Sequence, residues 1–347
     1  MSRRPAQARE TARWAVGLVQ MPEGQGLTAA ALLGDGCAIE ELGQTRWRYW
    51  SAAERRAMSA DGTAGAEARR EGALTALSEV LAAFPEAQAL GCDTLAPEVG
   101  AALAEAMGLP VVRDFAAADR ELGGRGRPMD AFFHHALLRS TGLRGASAVL
   151  VLDRVCRLTW ADADQPDPAA PGACLAFDIG PGQAEAGYRL TGGRVSEPLI
   201  EAATQALWFR QLPPKWLTGQ SFPELGAALA QLDPADAAAT TRSLIAVAAL
   251  IGLSQCPAPP QELLVAGPGR RDSELLQLLE AGFEGRIRTV EAAGLDGEAL
   301  TAQACAWLAL RVLAGLPSSG PGTTGVAASV GGGRVSRPGG DRRDPGN

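Results

Sequence analysis

"ACLAFDIGPGQAEAG" (residues 173–187) is an apolar run that stops at a carboxylate. The run ends at Asp178, and Gly180, Pro181 and Gly182 then turn the chain. Its apolar character predicts a buried strand. An Asp at the end of such a strand has two readings. In one it caps a turn. In the other the glycine N–H groups cradle phosphate oxygens, unobstructed by Cβ atoms. The carboxylate then holds Mg²⁺ through water or takes a proton from an attacking water or hydroxyl. The motif alone leaves both open.

On the N-terminal side, "SAVLVLD" (147–153) and "CRLTWA" (156–161) read as paired strands, joined to residue 173 by the polar, Pro-rich "DADQPDPAAPG" (162–172). On the C-terminal side come the apolar helix "TRSLIAVAALIGLS" (241–254) and the strand "ELLVAG" (262–267). A helix (272–282), the strand "RIRTVEA" (286–292) and a long helix (297–315) complete this half. Upstream, "RWAVGLVQ" (13–20), "LTAAALL" (27–33) and "TRWRYW" (45–50) read as three strands. Helical spacing marks 66–84 and 96–107, "LPVVRDF" (109–115) is strand-like, and "DAFFHHALLRS" (130–140) is a helix. Strands alternate with helices in two similar halves, which predicts an α/β protein with a cleft between them. The expected boundaries are a disordered 1–12, domains over 13–142 and 143–330, and a disordered 331–347 too polar to bury itself.

The 347 residues suit two domains, and 46% hydrophobic residues supply a core. A net charge of −7 without a basic face argues against a nucleic-acid partner. No run approaches the ~18 apolar residues of a membrane span, and the Arg-rich start lacks an apolar signal core. A cytoplasmic protein is the expectation. The six cysteines form no C-x-x-C pair and read as free, buried thiols. The two histidines, His134 and His135, leave few parts for a zinc site or a Ser-His-Asp triad, so no metal ligands are assigned. Their adjacent faces on one helix predict one in the core and one exposed. Lys215 is the only lysine.

Two further loops are rich in glycine. "LLVAGPGRRDSELLQLL" (263–279) is a strand, Gly loop and helix able to carry adenosine or phosphate at the helix start. "GGRGRP" (123–128) is preceded by Asp114 and Asp119.

Together these stretches resemble the bacterial anhydro-N-acetylmuramic acid kinases, of the actin, Hsp70 and sugar-kinase ATPase superfamily. "VVRDFAAADRELGGRGRPMDAFFHHALL" (111–138) is similar to the family's "VVaDFRxxDvAxGGQGAPLVPaFHxaL", and "FDIGPG" (177–182) to its "FDtGPGN". "LPPK" (212–215), "ELLVAGPGRRDSELL" (262–276) and "AQACAWLALRVLAGLPSSGPGTTGVAASVGGGRV" (302–335) follow in family order. The resemblance spans nearly the whole chain. It implies a two-domain actin-like ATPase fold, a duplicated ribonuclease H-like architecture with an interdomain cleft. It also implies ATP and Mg²⁺ as cofactors, an amino-sugar substrate, and a homodimer. In the implied reaction ATP phosphorylates O6 of the sugar while water opens the 1,6-anhydro ring at C1. The base for that water falls on Asp178. Cofactor positions fall on Gly26, Gly180, Gly182, Gly267 and Gly269, and substrate positions on Asp114, Asp119, Gly123 and Gly124.

The chain departs from the family in its ligand loops. The first phosphate loop, "GLMSGTSxDGvDaaL" in the family, is "GLVQMPEGQGLTAAA" (17–31), with Gln20, Met21, Pro22, Glu23 and Gln25 at changed positions and Gly26 kept. A carboxylate about 4 Å from a phosphate costs about 1–4 kcal/mol without a metal. The family's "HGQT" segment is missing near "GCDTLAPEVG" (91–100). Arg154 occupies a glycine position, Pro268 replaces the middle Gly of the adenosine loop, and Gln183 and Thr301 replace Asn and Glu. After Lys215 the family's loop is reduced to "WLTGQS" (216–221). Beside the kinase reading these changes set two others: a pseudokinase that binds or regulates, and a kinase for a different sugar.

Overall fold

The structure is a computed structural model that describes residues 11–21, 24–58, 72 and 74–339. Pro22 and Glu23, residues 1–10, most of 59–73 and residues 340–347 lie outside the described residues. Two compact units form. One gathers the chain up to Phe133 with Ala299–Gly320 and the residues from Val326 on; the other comprises His134–Glu298 with Pro321–Gly325.

The first unit is built on a six-stranded sheet of β1 (Arg13–Gln20), β2 (Gly26–Gly34), β3 (Ile39–Tyr49), β4 (Ala89–Gly91), β5 (Val111–Arg113) and β11 (Arg334–Ser336). β1, β2 and β3 are an antiparallel meander, and β4 and β5 run parallel to β1 and to each other. The second unit has β6 (Ala146–Val151), β7 (Val155–Asp162), β8 (Cys174–Pro181), β9 (Glu262–Ala266) and β10 (Arg286–Thr289). There β6, β7 and β8 are the meander, and β9 and β10 are the parallel strands. Counted from its own first strand, each sheet runs 3-2-1-4-5, with β11 added at one edge of the first. The two halves are therefore a duplication of one α/β design.

In the second unit the central strands are apolar on both faces, as covered strands require. The Pro234–Ser254 and Ser273–Gly282 helices lie against them, and Ile245, Ala249, Leu253, Leu275 and Leu279 join Leu150, Leu158, Phe177 and Val265 in one core. The Pro234–Ser254 helix is the one described helix long and apolar enough to cross a membrane. Here its apolar face fills this core.

Chain order and unit membership differ for the last long helix. The sequence expectation placed residues 143–330 in one domain, yet Leu300–Leu313 packs on β1, β2 and β4 of the first sheet. Two glycines make room for it. Gly17 and Gly91 are register partners across β1 and β4. A Cβ on Gly17 would sit 1.6 Å from the Ala302 carbonyl oxygen, and one on Gly91 2.1 Å from that of Cys305. The expected disorder over 331–347 also differs from the structure where it is described: Arg334–Ser336 pairs antiparallel with β5. Backbone ladder bonds order this polar segment without a large apolar area.

Candidate active site

Asp178 lies in β8, fully buried. Its N–H donates to the Lys215 carbonyl at 2.9 Å, and its Oδ2 accepts the Leu217 N–H at 2.7 Å. The Trp208–Leu217 segment thus lies along β8, the edge strand of its sheet. Trp208 Nε1 adds a bond to the Ile179 carbonyl at 3.3 Å. The carboxylate has its direction set by backbone, as a preorganised acceptor should.

Glycines 180, 182, 267 and 269 come together in the second unit, around the β6–β7 turn. The Gly182 N–H donates to the Arg154 carbonyl at 2.9 Å, and the Gly269 N–H to that of Leu152 at 3.0 Å. A Cβ on Gly182 would lie 1.8 Å from the Asp153 oxygen, and one on Gly267 2.5 Å from that of Leu152. Gly267 is also left-handed, with φ 78°. Tyr188 Oη donates to the Asp153 carbonyl at 3.0 Å. The N–H groups of Gly182, expected on a phosphate loop, and of Gly269, expected in the adenosine loop, are engaged in bracing this turn. Gly180 is different: a Cβ there would meet only Ala248 Cβ, at 3.3 Å.

Sequence reading treated the β6–β7 turn only as an eroded motif. The duplicated topology shows its place, because it joins the first two strands of its sheet as Met21–Gln25 joins β1 to β2. Its tip exposes Asp153 and Arg154. The repeated strand–turn–strand ahead of each helical region was the signal available in the sequence.

Next to the braced turn, a hollow of about 230 Å³ is lined by Tyr188, Arg189, Thr191, Pro268, Arg271 and Ser273, among others. Asp272 forms its floor at the start of the Ser273–Gly282 helix, capping the Leu275 N–H at 3.0 Å. Buried Arg242 donates to both Asp272 carboxylate oxygens, at 2.9 and 2.8 Å, and to Glu274 at 2.7 Å. Arg270, also buried, pairs with Glu291 and Glu298 at 2.6 Å each and holds the Gly267 carbonyl at 2.9 Å. Its pKa is raised: burial disfavours the charge, and the hydrogen bonds it donates to Glu298 and Glu291 outweigh that. The loop is rigidly ion-paired from below.

The four substrate positions cluster in the first unit. Asp119 is buried; its Oδ1 accepts the Gly126 N–H at 2.7 Å and its Oδ2 the Ser319 hydroxyl at 2.5 Å. A Cβ on Gly124 would strike that carboxylate at 2.2 Å, while Gly123 is exposed and left-handed. Asp119 thus shapes the glycine loop. Asp114 is partly exposed, adopts φ 47° and pairs with Arg120 at 2.5 Å. A non-glycine residue in that region holds strain of about 1–3 kcal/mol. Gly26 opens β2, where a Cβ would lie 2.1 Å from the Arg48 carbonyl oxygen.

Both histidines are buried, contrary to the expectation of one exposed: His134 Nδ1 is 3.0 Å from Thr159 Oγ1, and His135 has no exposure. The helix carrying them is covered on both of those faces. Among the described residues no three His, Cys, Asp or Glu side chains converge as metal ligands. Burial pushes the Lys215 ammonium down to about 8.

Residues 94–336 match the family model for anhydro-N-acetylmuramic acid kinase. The chain is 41% identical to the anhydro-N-acetylmuramic acid kinase of Cereibacter sphaeroides, over 94% of this chain and 96% of that one. It is 39% identical to anhydro-N-acetylmuramic acid kinase 1 of Jannaschia sp., with the same coverage. The Ruegeria sp. enzyme of that name is 37% identical over 90% of this chain and 92% of its own. Similarity of this extent, on a duplicated fold that buries Asp178 within β8, shows that the chain belongs to the anhydro-N-acetylmuramic acid kinase family.

Proposed function

We propose that the protein phosphorylates 1,6-anhydro-N-acetylmuramic acid at O6 with ATP while water opens the anhydro ring, a step of cell-wall recycling. The observation that carries this is near-full-length similarity to kinases of that name. Asp178, buried within β8, supports it as the acceptor for the proton of the attacking water. Its Oδ2 accepts the Leu217 N–H, a bond that fixes the direction of the carboxylate.

The hollow beside Asp272 is where a nucleotide would sit: it is lined by Arg189 and Arg271, paired with Glu185 and Glu298, by the Thr191 and Ser273 hydroxyls and by a helix start, all within one unit. Arg189, Thr191, Arg271 and Ser273 are the residues that would hold it. ATP supplies the transferred phosphoryl group. Mg²⁺ keeps most of its ligands as water and phosphate oxygen, so it would enter with the nucleotide. Asp114, Gly123 and the exposed part of the 119–126 loop would receive the sugar, with Asp119 holding that loop in shape. Within the second unit the β6–β7 turn would border the phosphates. A cytoplasmic homodimer without nucleic-acid or membrane partners completes the reading.

Incubating the purified chain with ATP and the anhydro sugar tests it. Formation of the ring-opened 6-phosphate, seen by mass spectrometry, is the expected result. No product together with no nucleotide binding at millimolar ATP would favour the pseudokinase; ATP consumption only with another amino sugar would favour a changed substrate.

A further inference from the structure

Lys215 is an unusual place for the chain's one lysine. The residue is 5% exposed. Its Nζ donates to the carbonyls of Trp208 at 3.2 Å and Gln211 at 3.1 Å. It lies 5.3 Å from the centroid of the Trp208 ring and 6.0 Å from that of Phe177. Among the described residues no carboxylate pairs with it. A buried cation balanced only by carbonyl dipoles and ring faces costs stability, so an apolar residue of the same length would give a more stable core.

The surrounding bonds show what the charge holds. The ammonium closes Trp208–Lys215 into a loop, with Gln255 Nε2 adding bonds to the Phe209 and Gln211 carbonyls at 2.9 and 3.3 Å. The Lys215 carbonyl takes the Asp178 N–H, and two residues on the Leu217 N–H reaches Asp178 Oδ2. Phe177, under the ammonium, immediately precedes Asp178. The same side chain therefore fixes both ends of the segment that aims the carboxylate.

We propose that Lys215 is a positioning residue for Asp178: its ammonium, bound to the Trp208 and Gln211 carbonyls, holds the loop that delivers the Leu217 N–H to Asp178 Oδ2. This rests on the reading of Asp178 as the base. Lys215→Met keeps length and removes charge and donors. Two measurements on the full chain decide the matter. Amide hydrogen exchange should quicken at Leu217 and Asp178 by about tenfold or more while the β6 and β9 amides stay unchanged. With ATP and the anhydro sugar, kcat should fall roughly 10- to 100-fold with both KM values within about twofold. Unchanged exchange at Leu217 overturns the proposal whatever the activity. Faster exchange with an unchanged kcat overturns the positioning role, and so does a rise in KM alone. An inactive wild type would instead defeat the kinase reading, and the exchange result would still decide whether Lys215 holds Leu217. If Lys215→Met fails to fold, Lys215→Leu, which also lacks charge and donors, is read in the same way.

Discussion

Gly182 passes so close to Asp153 that a Cβ on the glycine would lie 1.8 Å from the Asp153 carbonyl oxygen. The obstacle is backbone and cannot swing aside. Gly182→Ala is therefore expected to cost at least about 2–3 kcal/mol. Gly180→Ala, whose new methyl meets only the Ala248 side chain at 3.3 Å, should cost about 1 kcal/mol or less. Urea denaturation of the two variants checks the contrast. Equal losses would mean that the turn is not braced as described.

Arg242 joins Asp272 and Glu274 beneath the hollow, and both it and Asp272 are almost fully buried. Removing the cation leaves the Asp272 carboxylate enclosed without its partner. Arg242→Met should destabilise the protein by about 3–5 kcal/mol. Because Asp272 floors the hollow, nucleotide affinity should fall as well, read by calorimetric titration at a temperature where the variant is folded.

Lys215 gives a pH signature. Its folded pKa of about 8 lies below the ordinary value of 10.5, so the unfolded chain binds more protons between those limits. Stability must therefore rise with pH across that window. Measured as wild type minus Lys215→Met, which cancels groups common to both, the difference should move in favour of the wild type by about 3 kcal/mol from pH 8 to 10.5. A flat difference would show that the ammonium is not desolvated in the fold.

The cysteines divide by burial. Cys92, Cys156, Cys174 and Cys305 are buried, while Cys37 and Cys256 are half-buried. Burial pushes the Cys92 thiol up to about 11 and those of Cys156 and Cys256 to about 12. Thiolate is the reactive form, so native protein alkylated at pH 8 should label Cys37 first and the four buried thiols only on unfolding. Peptide mapping reads this directly.

The strands and most helices were legible because their apolar spacing is local. β6, β7, β8 and β9 follow the runs that mark them, and the helix at 131–140 begins just after Asp130. Unit membership was not legible, because it depends on Gly17 and Gly91 receiving a helix from residues 300–313. Nothing in the linear order distinguishes a glycine that admits a helix from one that admits a ligand. The same ambiguity ran through the site. The resemblance puts Gly182 on a phosphate loop and Gly269 in an adenosine loop, and in the structure the N–H groups of both brace the β6–β7 turn. Asp119, read as substrate-binding, holds its own loop through Gly126 and Ser319. Asp178 was singled out by its place at the end of an apolar run, but its partner Leu217 lies 39 residues away in a segment whose motif is worn down.

Turnover of 1,6-anhydro-N-acetylmuramic acid by wild type and Asp178→Asn is the most direct test of the assigned chemistry. Asparagine keeps an acceptor for the Leu217 N–H, so the fold and nucleotide binding should persist. The account predicts ATP-dependent formation of the 6-phosphate by the wild type and a kcat lower by about 10²–10⁴-fold in the variant. A variant as active as the wild type would contradict it.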